Sequence, residues 1–138
     1  MDRFSLKGII LAILLMLVLD TISGVALMGV MGSHVLQEGL TDQQVNEAIA
    51  AVTHNRDFLL WSLILGTLST IVAGYVAAQI AKKEPYLNAG VVGVLGIAIG
   101  LIFSADYPLW FNVLGFLLVI PAALLGGHLA RPRIERNV

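Results

Sequence analysis

The chain has 138 residues and a mass of 14.7 kDa, with 58% hydrophobic residues, 12% charged residues and a mean hydropathy of +0.90. Soluble domains run at roughly 45–50% apolar and about 25% charged, so a water-soluble globule is excluded. The absence of cysteine excludes disulfides, iron–sulfur clusters and thiol chemistry, and a net charge of -1 offers no basic surface for nucleic acid.

This composition predicts an all-α polytopic integral membrane protein, one membrane domain over 1–138 with four transmembrane helices in a compact bundle. The first apolar run, 8–31, is 24 residues long and is broken by a single ionisable residue, Asp20. About 20 residues suffice to cross the hydrocarbon, so this is a span. Arg3 and Lys7 before an apolar core at 9–19, with Gly24-Val25-Ala26 after it, also fit a cleaved signal peptide. The run continues past Ala26 to Met31, which favours a retained span.

Residues 32–57 form the one long loop. Within it, Thr41-Asp42-Gln43-Gln44 is a capping-box pattern that predicts a short helix over about 42–54. Val45, Ala48, Ile49 and Val52 fall on one face of it. Its polar face has no Lys or Arg before Arg56, which favours packing on its own protein over lipid. The remaining spans are 58–81, ended by Lys82-Lys83-Glu84-Pro85; 87–104; and 109–130, ended by Arg131-Pro132-Arg133 with an exposed tail from Ile134. Pro121 lies inside the last span, where it removes the N–H bond to the Leu117 carbonyl and predicts a kink.

Counting Lys and Arg sets the orientation. Arg3, Lys7, Lys82, Lys83, Arg131, Arg133 and Arg136 fall on one side and Arg56 on the other, which predicts cytoplasmic termini and an extracytoplasmic 32–57 loop. Trp61, Tyr107 and Trp110 mark the outer interface, Tyr86 and Phe4 the inner one. This orientation is the one expected for a multi-pass protein of a cytoplasmic (inner) membrane.

Helices in lipid associate where small residues let backbones approach. The second span has Ser62, Gly66, Ser69, Ala73 and Ala77 on one face; the third has Ala89, Gly93, Gly96 and Gly100; the fourth has Gly115, Ala122, Gly126 and Ala130. Gly66, Ala73, Gly93, Gly96, Gly100, Gly115 and Gly126 are therefore the expected packing positions. A shift of 49 residues superimposes the second span on the fourth, matching Leu65, Gly66, Ala73 and Lys82 with Leu114, Gly115, Ala122 and Arg131. Related hairpins and chance matching of apolar sequence both account for this.

Asp20 is the residue that chemistry singles out. An ionised carboxylate at mid-span is costly by about 2.5–3.5 kcal/mol on insertion scales, so it must face protein or water. Thr21 and Ser23 are local partners, and Thr67, Ser69 and Thr70 stand at matching depth in the second span. The readings are a proton or cation relay, or a buried hydrogen-bonded staple. Asn112, on the face of Gly115, is expected to make an interhelical amide bond. Asp20, Thr67, Thr70 and Asn112 make up the expected polar site. His34, His54 and His128 lack ligand spacing, and Glu38, Asp42, Glu47 and Asp57 lack a calcium-loop pattern, so no metal or cofactor is expected. No nucleophile elbow, P-loop or metalloprotease motif occurs, and no enzyme is expected.

The stretch from Gly74 to Ala81 followed by Lys-Lys-Glu-Pro, and the stretch from Pro121 to Arg131, resemble small four-span prokaryotic membrane proteins of unknown function. That resemblance implies no activity. The chain is also similar to the small multidrug resistance transporters, four-span antiparallel dimers with an essential acid in the first span, a place Asp20 would take. It departs from them in having Asp rather than Glu, a far longer 32–57 loop and a one-sided charge bias. The expected role is thus a non-enzymatic membrane protein acting by helix association, as an accessory subunit or homo-oligomer in the bilayer. The alternative is a small oligomeric proton-coupled transporter using Asp20.

Overall fold

The computed structural model describes residues 4–33 and 39–136; Arg3, His34 and Glu38 lie outside them. The described residues contain five α-helices and no strand: α1 (Leu6–Met31), α2 (Asp42–Thr53), α3 (Arg56–Ala81), α4 (Pro85–Ile102) and α5 (Leu109–Arg136), with a 3-10 turn over Ser104–Asp106 between the last two. Four of them, all but α2, are long and apolar enough to cross a membrane. The shortest, α4, has 18 residues, about 27 Å at 1.5 Å per residue.

Capping explains where the elements begin. The Ser5 hydroxyl accepts from the Gly8 N–H at 3.2 Å and the Asn55 side chain from the Asp57 N–H at 2.8 Å. Both α1 and α3 consequently start two residues before their apolar runs. In α2 the capping box is complete: Gln44 N–H reaches the Thr41 hydroxyl at 3.4 Å, and Gln44 Oε1 accepts from the Thr41 N–H at 2.9 Å. Pro85 ends nothing by itself; it occupies the first turn of α4, where its missing N–H has no partner to lose. The turn before it is made by Lys82 and Glu84, both left-handed at φ 57° and 47°.

Besides the early starts of α1, α3 and α4, two C-terminal boundaries differ from the sequence expectation by two residues or more. α4 stops at Ile102 rather than 104, because Ser104 starts the 3-10 turn and the Asn112 amide donates to the carbonyls of Ser104 and Tyr107, at 2.9 and 3.2 Å. α5 does not end at Arg131-Pro132 but continues to Arg136. The carbonyl freed by Pro132 belongs to exposed His128, and the extra turn is held by the Arg131–Glu135 bridge at 2.7 Å and by Arg133 donating to the Tyr75 hydroxyl at 2.8 Å.

Helix α3 touches all the other helices, with its most extensive contact along α5. The approach is closest toward the end that carries the termini. A Cβ on Gly126 would stand 2.6 Å from the Tyr75 backbone nitrogen and against the Ile71 carbonyl; one on Gly74 would stand 2.9 Å from the Ala123 Cα and against its carbonyl. Gly74 and Ala123 are equivalent under the 49-residue shift, so equivalent positions meet at this crossing. Ala73, Ala77 and Ala78 are fully buried beside them. At the same end Asn88, fully buried, accepts from the Ser5 N–H at 2.8 Å and donates to the carbonyls of Lys83 and Glu84, both at 3.1 Å. It ties the start of α1 to the α3–α4 turn.

The opposite end is looser. Every buried residue of α1 lies between Gly8 and Met16, and none lies beyond Asp20. α2 makes few contacts: only Val52 is buried, and Ile49 on its apolar face is exposed. The expected packing of that face on its own protein is therefore only partial. Twelve residues with one short apolar row bury too little to close over the rest. Its C-terminal end is pinned instead by His54, whose Nε2 lies 2.8 Å from the Asp106 carbonyl and Nδ1 2.9 Å from that of Ala50.

Candidate functional site: a cavity on Asp20

Where the backbones separate, toward the α2 end, a cavity of about 250 Å³ opens between α1, α3, α4 and α5. Asp20 and Met16 border it from α1, Thr67 and Thr70 from α3, Gly96 and Gly100 from α4, and Asn112 and Phe116 from α5. The four polar residues singled out from the sequence thus line one space. Their depth runs from mid-helix at Asp20 and Thr70 to the helix ends at Ser104, Tyr107 and Asn112.

The hydroxyls nearest Asp20 have defined partners. The Asp20 carboxylate accepts from the Ser69 hydroxyl of α3 through Oδ1. Ser69 is buried, as is Thr70, whose hydroxyl donates to the Gly66 carbonyl at 2.8 Å. Thr67 donates to the Leu63 carbonyl at 2.7 Å, and Thr21 donates to the Leu17 carbonyl at 2.7 Å. These last bonds are local to one helix turn, which lets a hydroxyl face an apolar medium with its proton used. Of the three α3 hydroxyls at matching depth, only Ser69 reaches Asp20.

Asn112 departs from its expected role. Its Nδ2 closes the α4–α5 connection rather than bridging facing helices. Near the helix start the amide takes the connection's carbonyls, and its Oδ1 has no hydrogen-bond partner among the described residues.

The seven expected packing positions divide in two. Gly126 and Gly93 sit at close contacts, Gly93 with 3.2 Å from a built Cβ to the Ala123 methyl, and Ala73 is fully buried. Gly66, Gly96, Gly100 and Gly115 line the cavity instead. A Cβ on Gly66 would meet nothing within 4 Å, and one on Gly115 would meet only the Leu63 side chain, at 3.7 Å. The same residue type therefore does different things at different depths: Gly126 admits a backbone where helices cross, Gly66 leaves space where they part, and Gly100 on the cavity wall lies under the Phe116 ring, 3.1 Å from a built Cβ. Gly74 and Gly127 were not among the expected positions, although a Cβ on Gly127 would lie 2.8 Å from the Ala89 methyl. Gly74 stands one residue off the second-span stripe; its alignment with Ala123 under the 49-residue shift was the available signal.

Chemically the cavity has one carboxylate and no cationic side chain among the residues that line it. Aromatic rings form part of the wall, with Tyr107 and Phe111 at 5.1 Å between centroids. Such a space accepts a proton, a cation or a hydrogen-bond donor and repels anions. The described residues thus form an all-helical structure with four helices long and apolar enough to cross a membrane, around a largely apolar cavity that carries one carboxylate. No protein-family model, curated protein or solved structure matches the chain.

Proposed function

We propose that the protein is a small non-enzymatic transporter of a prokaryotic inner membrane, in which Asp20 exchanges a proton with a solute cavity open toward the extracytoplasmic side. The observation that carries this reading is the meeting of the one intramembrane carboxylate with Thr67, Thr70 and Asn112 on a single cavity. A staple would need Asp20 enclosed by dry protein, whereas its carboxylate borders open space. The orientation rests on Lys7, Lys82, Lys83, Arg131, Arg133 and Arg136 at the terminal end against Arg56 at the other. In that orientation the four long helices form a compact bundle that narrows toward the cytoplasm.

Gly66 offers the test. The Cβ of a valine there would stand on the cavity with no protein atom within 4 Å, so Gly66→Val is expected to keep the fold and to lower solute-driven proton flux at least about tenfold, the equivalent of roughly 1.4 kcal/mol in a binding equilibrium. The measurement is fluorescence of a pH dye inside proteoliposomes across a panel of organic cations, amino acids and sugars. Unchanged flux in a folded Gly66→Val protein rejects the cavity as the route.

A second reading is supported by α1. Beyond Asp20, its Ile22, Val25 and Val30 are exposed, and Gly24 and Gly29 have open space around them, a surface suited to association with another copy or another membrane subunit. Cysteine placed at Val25 is expected to cross-link copies in bilayers under mild oxidation. Monomer alone, with no co-purifying partner, rejects association through this face.

A further inference from the structure

Ser69 Oγ stands between two acceptors, Asp20 Oδ1 on α1 and the Gly66 carbonyl on its own helix at 2.9 Å. A hydroxyl carries one proton and two lone pairs, so it cannot donate to both at once. The Gly66 carbonyl is served independently by the Thr70 hydroxyl at 2.8 Å. Two arrangements of protons satisfy these positions. With Asp20 ionised, the Ser69 proton points at Oδ1 and the Gly66 carbonyl keeps Thr70. With Asp20 protonated, the acid O–H donates to Ser69 Oγ, and the Ser69 proton turns to the Gly66 carbonyl.

Every one of these polar atoms is paired in both arrangements. That matters because Ser69 is 4% exposed and a buried polar atom left without a partner is costly in a medium of low dielectric. We infer that Ser69 is a positioning residue for Asp20: a hydroxyl rotor that holds the carboxyl in place in both charge states, so that a proton comes and goes without breaking the α1–α3 contact. The exchange itself forms or breaks only the Asp20 O–H bond, with the proton delivered from or returned to solvent on the cavity side. Ser69 keeps its own proton throughout and changes only its direction. Among the residues that line the cavity from α3, α4 and α5 none is charged, and Tyr107 is the other titratable group, so no fixed charge competes with the rotor.

This inference gives the proposed transport reading its proton-handling partner, and its test has a readout that needs no solute. Infrared difference spectra of the full chain in lipid bilayers, recorded across about pH 4 to 9, report the carbonyl stretch of a neutral carboxyl, and Asp20→Asn assigns it. Ser69→Ala and the near-isosteric Ser69→Cys are expected to move that band to higher wavenumber, because the acid loses a good acceptor. Ser69→Thr, which keeps a hydroxyl, restores the wild-type position. Circular dichroism and size-exclusion profiles check that each variant is folded. In proteoliposomes, proton flux falls roughly tenfold in the first two variants and is retained in the third, in line with the loss of about one hydrogen bond.

A band unmoved by Ser69→Ala, a band moved equally by Ser69→Thr, or the absence of any Asp20-dependent neutral carboxyl over that range overturns the rotor. If the band behaves as expected while no solute drives proton flux in the wild-type protein, the rotor stands and the transport reading falls.

Discussion

Gly126→Ala is expected to destabilise the protein by about 3 kcal/mol or more, the upper end of what overpacking costs. The added methyl would stand 2.6 Å from the Tyr75 backbone nitrogen and against the Ile71 carbonyl. Neither is the flexible end of a side chain, so relief requires that α5 move away from α3. That movement would open the contact with Gly74 on Ala123 and the neighbouring fully buried Ala73, Ala77 and Ala78. In lipid this loss is not cushioned, because association there depends on close van der Waals packing rather than on removal of apolar surface from water. Gly66→Ala is the internal control. It adds the same methyl to α3 with nothing within 4 Å, and removing a glycine from a helix interior is worth roughly 0.5–1 kcal/mol in its favour. Reversible unfolding in mixed micelles over a series of denaturing-detergent fractions measures both. Equal stabilities for the two variants would mean that the α3–α5 crossing is not a tight backbone contact.

Asp20→Asn is expected to abolish solute-driven proton flux while leaving the helices assembled. The substitution conserves volume and keeps a carbonyl oxygen for the Ser69 hydroxyl, so the α1–α3 bond survives. What disappears is the ability to carry a proton. Removing the charge also removes a cost of about 2.5–3.5 kcal/mol for an ionised carboxylate at mid-span, so stability is expected to hold or rise. Flux through the dye-loaded vesicles and unfolding in mixed micelles separate the two effects. Wild-type flux in the Asp20→Asn protein would remove Asp20 from the transport reading.

The helices were legible in the sequence to within two residues at most ends. Apolar length and caps such as Thr41 with Gln44 act within a few residues and need no tertiary information. The exception is the end of α5, which runs six residues past its apolar stretch because Arg133 finds the Tyr75 hydroxyl, 58 residues away in sequence; the α4 end, two residues short, is set by the Asn112 amide. α2 was legible as a helix, but the fate of its apolar face was not.

Composition and periodicity alone determined that this chain is all-helical with four segments able to cross a membrane, that Asp20 stands alone at mid-span, and that small residues line one face of three spans. Those properties are local, fixed by hydropathy along the chain and by the 3.6-residue turn. Which glycines touch and which enclose space was decided only by tertiary structure, because Gly126 and Gly66 are the same residue, each on a small-residue face of its helix. So was the choice of Ser69 over Thr67 and Thr70 as the partner of Asp20, and the meeting of Asp20 with Asn112 on one cavity. Each depends on how far two helices lie apart at a given depth. That distance is set by where they cross, and the crossing is a property of the assembled helices rather than of any one of them.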